Sequence, residues 1–207
     1  MMITKEQLIE LNLLYKEAKP SDIIKKAFEF SHEAVVTTNF RPYEVAILHA
    51  VNAVKSNVDV VWCDTGYNTP QTYRHANEVI EKLQLIVSLY VPQQTAAYRD
   101  VVMGIPDVND PKHALFSEQV KLEPFRRAME THKPKVWFTN LRKGQTAFRD
   151  SIGVFSMSKD GVLKVSPFYY WSDADLDAYL EEYSLPNEFK YFDPTKALEN
   201  RECGLHS

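Results

Sequence analysis

The sequence contains only two cysteines, Cys63 and Cys203. Two thiols are too few for a disulfide framework, a cysteine-based structural zinc site or an iron–sulfur cluster. A basic excess is also lacking, because 24 lysines and arginines face 28 aspartates and glutamates, and this argues against a non-specific nucleic-acid binder. No apolar run approaches membrane-spanning length, and the first residues lack the layout of a signal peptide. We therefore expect a reduced cytoplasmic protein.

Strand and helix patterns alternate along most of the sequence. Short apolar runs predict strands, and apolar residues at helical spacing predict the helices between them. This alternation is typical of a doubly wound, mostly parallel α/β sheet of the Rossmann-like kind. The predicted strands cover residues 34–38, 58–63, 85–91 and 135–139, and the predicted helices cover residues 42–54, 70–83, 95–103 and 117–132.

The remaining segments complete a single predicted domain. No repeat, low-complexity tract or linker divides residues 1–207, so we expect an N-terminal helical layer (1–31), a core (32–190) and a mobile C-terminal tail (191–207). Asp160-Gly161 predicts the turn of a hairpin, and Ser172 predicts a helix cap. The segments are two helices at 4–18 and 20–30, a surface loop at 104–113, hairpin strands at 154–157 and 162–165, and a last helix at 173–183.

Ligands of open α/β sheets bind at the carboxyl ends of the strands, so the loops that follow the strands are candidate sites. The loop after the first predicted strand carries hydroxyls and precedes a helix whose N-terminal amides can hold phosphate or sulfate. Pro42 suits the first turn of that helix. Simple helix capping by Thr38 or Asn39 explains the loop equally well. The candidate residues are Thr37, Thr38, Asn39, Phe40 and Arg41.

The loop after the second predicted strand carries Asp64, Thr65, Gly66 and Tyr67. A carboxylate at a strand end can accept hydrogen bonds from an adenine amino group or a ribose hydroxyl, and glycine permits close backbone approach. A plain turn is the alternative interpretation. Cys63 lies inside the apolar strand itself, so we expect it to be a buried core thiol rather than a nucleophile.

Two stretches are rich in cations. Arginines are suited to bidentate contacts with phosphate or sulfate, and a position after a strand favours anion binding over a solvated surface loop. The first such stretch holds Arg142, Lys143, Gln145, Thr146 and Arg149. The second runs from Lys121 to Arg127 within a predicted helix, where a solvated helix face is the simpler interpretation.

The second cysteine lies in the stretch Arg201-Glu202-Cys203-Gly204-Leu205-His206. An exposed cysteine is normally avoided, and the nearby Arg201 and His206 favour the nucleophilic thiolate. A frayed tail that happens to hold a cysteine is the alternative, because a nucleophile also needs partners elsewhere in the fold.

Taken together, these stretches resemble the phosphoadenylyl-sulfate (PAPS) reductase family from about residue 35 to residue 206. The terminal Glu-Cys-Gly-Leu-His is the most specific of them, and the others occur with it in order. The motifs are Asp64–Tyr67 with Pro70 and Thr72–Arg74, Lys121 with Glu123-Pro124, Leu141–Arg149, Leu163–Pro167 before Trp171, and Arg201–His206.

The resemblance implies an adenine nucleotide α-hydrolase-like domain and a cytoplasmic enzyme of sulfate assimilation. Cys203 would attack the sulfate sulfur of PAPS to give an S-sulfocysteine and release adenosine 3',5'-bisphosphate, and reduced thioredoxin or glutaredoxin would then release sulfite. The resemblance makes Arg142, Lys143 and Arg149 candidates to neutralise the phosphosulfate. Lys121, Gln145, Thr146, Arg201, Glu202 and His206 join the expected substrate site. A homodimer stays open, and no membrane or nucleic-acid partner is expected.

Three departures from the family pattern limit what the resemblance implies. Related adenylyl-sulfate (APS) reductases carry cysteine pairs that bind a four-iron cluster, and Phe116-Ser117 stands where one pair would be, which favours the cluster-free branch. The first loop has Thr37-Thr38-Asn39 and Arg41 in place of serines and a glycine. The segment between Tyr183 and Arg201 is short, so the choice between PAPS and APS stays open.

Two other functions fit the same architecture. ATP pyrophosphatases need a Ser-Gly-Gly-x-Asp-Ser loop, which the first loop of this sequence does not match. A non-catalytic nucleotide-binding or redox-sensing relative is the second alternative. Sulfite release from PAPS, pyrophosphate release from ATP, and binding without turnover distinguish the three.

Overall fold

The computed structural model describes residues 3–196, which form a six-stranded sheet between layers of helices. The strand order is β3-β2-β1-β4-β6-β5, and every neighbouring pair is parallel except β5 and β6. The predicted doubly wound, mostly parallel sheet is therefore confirmed. The strands are β1 (Ala34–Thr38), β2 (Asp59–Cys63), β3 (Val87–Tyr90), β4 (Val136–Phe138), β5 (Phe155–Met157) and β6 (Leu163–Val165).

Nine α-helices and one π-helical turn are formed within residues 3–196. None of these helices is long and apolar enough to cross a membrane. The helices are α1 (Lys5–Leu14), α2 (Pro20–Phe30), α3 (Glu44–Val54), α4 (Pro70–Leu83), α5 (Ala96–Val102), α6 (His113–Ser117), α7 (Glu123–His132), α8 (Ala147–Asp150) and α9 (Asp173–Glu182), and the π-helical turn is Glu118–Leu122.

The central strands are largely apolar because both faces of the sheet are covered. Successive side chains of a strand point to opposite faces. Val36 and Val60 accordingly belong to the larger core cluster, and Val35 and Val61 belong to a smaller cluster with Trp137. This two-sided burial fixes the register between β1 and β2.

The N-terminal helical layer protects the antiparallel edge of the sheet. The Asn12 side chain of α1 donates to the Phe155 carbonyl at 2.8 Å and accepts from the Phe155 amide at 2.9 Å. A free strand edge invites pairing with another chain, so these two bonds close an exposed position of β5. Thr4 and Gln7 form a capping box at the start of α1.

The predicted hairpin is confirmed, and Gly161 adopts the positive φ of 77° that its turn requires. Several boundaries differ from the predictions. The first helix ends at Leu14 rather than at residue 18, the third strand spans only Val87–Tyr90, and the short helix α8 was not expected. Helix α3 begins at Glu44, so Pro42 lies in the preceding turn and not in the helix.

The helix predicted over residues 117–132 is interrupted. Pro124 has no backbone N–H and cannot continue the hydrogen-bond ladder of an α-helix. The chain passes through the π-helical turn instead, in which the Glu123 amide bonds the Glu118 carbonyl five residues back. Turns of this kind are frequent at functional sites, and this one contains Lys121.

Candidate active site

A polar cleft lies at the carboxyl edge of the sheet beside β1. The chain reverses its direction of travel across the sheet between β1 and β4, which is where open α/β sheets bind ligands. Four cations and one carboxylate are among the described residues that line it. The lining residues are Thr37, Thr38, Asn39, Arg41, Glu44, Val61, Cys63, Thr65, Asn68, Lys121, Phe125, Arg149, Tyr191 and Lys196.

The loop between β1 and α3 is folded around the carboxylate of Glu44. This carboxylate accepts hydrogen bonds from the Thr38 hydroxyl, the Asn39 amide and the Arg41 Nε, each at 2.8 Å. Neither Thr38 nor Asn39 therefore caps α3, which begins without a side-chain cap. The expectation that Phe40 joins the site is corrected for its side chain, which is fully buried and packs edge-on against Trp62 in the core.

The loop after β2 divides between the cleft and the surface. Thr65 lines the cleft together with Asn68, which sequence reasoning missed. Asp64 accepts from the Gly66 amide at 2.9 Å and from the Asn68 side chain at 2.8 Å, which is the plain turn considered as the alternative. Tyr67 points toward α5 and donates to Asp100 at 2.8 Å. Asp64 thus orients Asn68 toward the cleft.

Lys121 is buried at the cleft in an ion pair with Asp193, at 2.6 Å. Burial alone raises the pKa of Asp193, but the charge of Lys121 and the hydrogen bonds from Lys121 and Thr195 outweigh it, so the pKa lies below its usual range. The surface interpretation of Lys121 is therefore wrong. Local sequence patterns could not reveal this pair, because Asp193 lies 72 residues from Lys121 in the chain.

The basic loop after β4 sends its two arginines in different directions. Arg149 is buried, lines the cleft, and donates through its guanidinium to Gln145. Arg142 faces α9 instead, where its guanidinium pairs with Asp173 at 2.6 Å and lies over the Tyr43 ring. Lys143 is exposed beside the Tyr170 ring. The expectation that all three cations gather around one anion needs this correction.

Thr146 has a structural role at the start of the short helix α8. Its hydroxyl accepts from the Arg149 amide at 3.2 Å and thereby caps that helix. The cap fixes the backbone from which the Arg149 side chain enters the cleft. Gln145 supports the same loop, since its side-chain oxygen also accepts from the Arg142 amide at 3.1 Å.

Cys63 lines the cleft but has the properties of a core thiol. Burial raises its pKa to about 12, and the charges of Lys121 and Arg127 offset that effect only in part. A thiol with this pKa is almost wholly protonated at neutral pH and is a poor nucleophile. The expectation that Cys63 is inert is consistent with this environment.

The segment that leads to the second cysteine is docked on the cleft. Tyr191 contacts the Asn39 side chain at 2.6 Å, and the Lys190 carbonyl accepts from Thr69 at 2.7 Å. These two contacts hold the beginning of the predicted tail against the cleft. Cys203, Arg201, Glu202 and His206 lie outside the residues that the structure describes.

A cationic cleft at the switch point of a doubly wound sheet defines an α/β protein of the nucleotide-binding type. The family model described as "Phosphoadenosine phosphosulfate reductase domain" matches residues 33–191. The chain belongs to this family. The family resemblance noted from the sequence motifs is therefore confirmed.

Individual relatives agree with this assignment. The chain is 28% identical over 230 residues to a phosphoadenosine 5'-phosphosulfate reductase of Vibrio atlanticus, in an alignment covering 97% of this chain and 88% of that relative. A reductase of the same name from an Enterobacter species is 29% identical, in an alignment covering 84% of this chain and 80% of that relative. The crystal structure of the PAPS reductase of Candida auris, in a phosphate complex, superposes with a TM-score of 0.79 at 24% identity and 90% coverage of both chains, which shows the shared fold.

Proposed function

We propose that this chain catalyses the thiol-dependent reduction of PAPS to sulfite and adenosine 3',5'-bisphosphate in sulfate assimilation. The observation that carries the proposal is the cleft of four cations at the switch point of the sheet, in a chain of this family. PAPS is strongly anionic, and buried arginine and lysine side chains bind phosphate and sulfate oxygens through charge-assisted hydrogen bonds.

The chemistry divides into three substitutions at sulfur. The Cys203 thiolate attacks the sulfate sulfur, the bond between that sulfur and the bridging phosphate oxygen breaks, and adenosine 3',5'-bisphosphate leaves. A thiolate of the donor then attacks the Cys203 sulfur and expels sulfite, leaving a mixed disulfide. The second donor thiol resolves it, so the dithiol is oxidised to a disulfide while the sulfate sulfur is reduced to sulfite.

The docked segment supports Cys203 as the nucleophile. Lys196 lines the cleft, and Cys203 follows it by seven residues in the sequence. An extended chain spans at most about 3.5 Å per residue, so Cys203 cannot lie farther than about 25 Å from Lys196. That reach allows the Cys203 thiol to be delivered to a sulfate bound in the cleft.

The cleft also supports roles for individual cations. Arg149 and Lys196 line it and are the proposed ligands of the phosphosulfate. Lys121 keeps the docked segment in place through Asp193. Arg201, Glu202 and His206 are proposed to complete the site from the tail, where Arg201 and His206 favour the thiolate.

The finer assignments extend the same proposal. With only two cysteines in the sequence, we propose that the enzyme works without an iron–sulfur cluster and uses reduced thioredoxin or glutaredoxin as its donor, in the cytoplasm. PAPS is preferred to APS in this proposal because the relatives carry that substrate in their names. Reduction of APS by the same steps is the alternative substrate assignment.

The deciding experiment measures sulfite release with PAPS and APS side by side, with reduced thioredoxin as donor. We expect turnover of PAPS by the wild-type protein and none by Cys203→Ser, with nucleotide binding kept. Cys63→Ser is the matched control and should retain activity if it is folded. Turnover by Cys203→Ser, or no sulfite from either nucleotide with a range of dithiol donors, would contradict the proposal.

A further inference from the structure

The β1–α3 loop contains an anion of its own. The Glu44 carboxylate is buried, with a side-chain exposure of 9%, at the first position of α3. It accepts from a hydroxyl, a backbone amide and a guanidinium, those of Thr38, Asn39 and Arg41. Donors of these three kinds, in a loop before a helix N-terminus, are what a phosphate or sulfate oxygen would otherwise use.

The contacts of Glu44 extend beyond these three donors. The side-chain amide of Asn39 also contacts Glu44. When its nitrogen faces Glu44, it donates to both carboxylate oxygens, at 2.8 and 3.2 Å, and its oxygen accepts from the Tyr191 hydroxyl at 2.6 Å. The buried charge is thus hydrogen-bonded on both oxygens and lies at the positive end of the α3 dipole. Glu44 therefore links the loop to the docked segment before the tail.

We propose that Glu44 is a specificity-determining internal anion, which occupies the donors of the β1–α3 loop and keeps anionic groups of the substrate out of it. The phosphosulfate is thereby left to other cations that line the cleft, namely Arg149 and Lys196. The identity of the excluded group rests on the proposed function, whereas the occupation of the loop donors by Glu44 is independent of it.

A purely structural role for Glu44 predicts something different. A carboxylate that only braces the loop should, when removed, loosen the loop and weaken every ligand. An internal anion should, when removed, release donors that an external anion can use. Tighter binding of an external anion after removal of the Glu44 carboxylate therefore distinguishes the two roles, because a bracing role does not produce it.

The test uses inorganic sulfate and the full-length protein without nucleotide. Isothermal titration calorimetry at constant low ionic strength compares the wild type with Glu44→Ala, which removes the carboxylate and opens space for the ion. We expect sulfate to bind Glu44→Ala at least tenfold more tightly. Glu29→Ala is the matched control, because it removes the same charge from a surface ion pair of α2 and should leave sulfate affinity unchanged.

A second variant locates the gain. Adding Thr38→Val to Glu44→Ala should reduce the gain, because the Thr38 hydroxyl is one of the released donors and its removal leaves the net charge unchanged. An undiminished gain in the double variant would show a general field effect on the cleft and would overturn the proposal. So would a folded Glu44→Ala protein that binds sulfate no more tightly than the wild type.

Folding is controlled by a conservative substitution. If Glu44→Ala does not fold, Glu44→Gln keeps the size of the side chain and removes only the charge, and it should show a smaller gain over the wild type; no gain overturns the proposal. Sulfate binding requires no turnover, so a wrong reductase assignment would leave this gain intact. Conversely, absence of the gain would leave the sulfite assay unaffected.

Discussion

The buried ion pair between Lys121 and Asp193 makes the sharpest stability prediction. Asp193→Asn leaves the Lys121 ammonium buried without the carboxylate that now lies 2.6 Å from it. Removing one partner of a buried pair typically costs about 3–5 kcal/mol, because the remaining charge is desolvated without compensation. An exposed pair contributes at most about 1 kcal/mol, so Glu118→Gln, which removes the surface partner of Arg126, is the matched control.

Urea unfolding of both variants measures this difference directly. The double variant Lys121→Met with Asp193→Leu should recover most of the loss, since replacing a buried pair by apolar groups is often neutral. A loss below about 1 kcal/mol for Asp193→Asn would refute the reasoning. Costs that simply add in the double variant would do the same, because they would show that the two groups do not interact.

The same pair predicts a pH dependence of stability. The pKa of Asp193 is lowered in the folded protein, so the folded state binds this proton less readily than the unfolded state. Its contribution to the free energy of unfolding is therefore complete above the unfolded pKa of about 3.9 and is lost as the pH falls through the lower folded value. Asp193→Asn should flatten the acid limb of the stability profile below about pH 4.

Three further predictions concern a thiol, a glycine and the basic loop. The pKa of Cys63 is about 12, so only about 10⁻⁴ of this thiol is ionised at pH 8. In a variant whose tail cysteine is replaced by serine, iodoacetamide should therefore label Cys63 only after unfolding. Rapid labelling of the native protein would contradict this. A Cβ on Gly153 would lie 2.2 Å from the Asn12 side-chain oxygen. Gly153→Ala should therefore break the hydrogen bonds between Asn12 and Phe155 of β5 and lower the free energy of unfolding by about 1–3 kcal/mol in urea. The loss should be smaller in an Asn12→Ala background. Arg149→Ala should weaken binding of adenosine 3',5'-bisphosphate at least tenfold in calorimetry, while Arg142→Ala should change it little; equal effects would restore Arg142 to the site.

Much of the fold could be predicted because it follows from short-range patterns. Short apolar runs mark β1, β2 and β4, since both faces of these central strands are buried. The Asp160-Gly161 turn and the Ser172 cap are signals that a few neighbouring residues carry. Such signals need no knowledge of what lies across the sheet, and the structure agrees with them.

The side-chain directions within the site could not be predicted in the same way. Arg142 and Arg149 are equivalent in the sequence, but in the structure Arg142 pairs with the Asp173 carboxylate at the start of α9 and lies over the Tyr43 ring, away from the cleft. Lys121 resembled a surface cation because its partner Asp193 is remote in the chain. The direction of each of these side chains depends on a charged partner that is distant in the sequence, so local composition could not predict it.

Glu44 shows how a departure from a family pattern can be informative. Arg41 belongs to the part of the first loop that departs from the family pattern, and that departure by itself did not point to a carboxylate three residues later. In the structure the two are paired at 2.8 Å, so the added cation and the internal anion belong to one arrangement. A loop that holds its own anion can keep its conformation before the nucleotide binds. The contact between Asn39 and Tyr191 connects this loop to the segment that leads to Cys203. Binding at the cleft and delivery of the thiol would then depend on the same few hydrogen bonds.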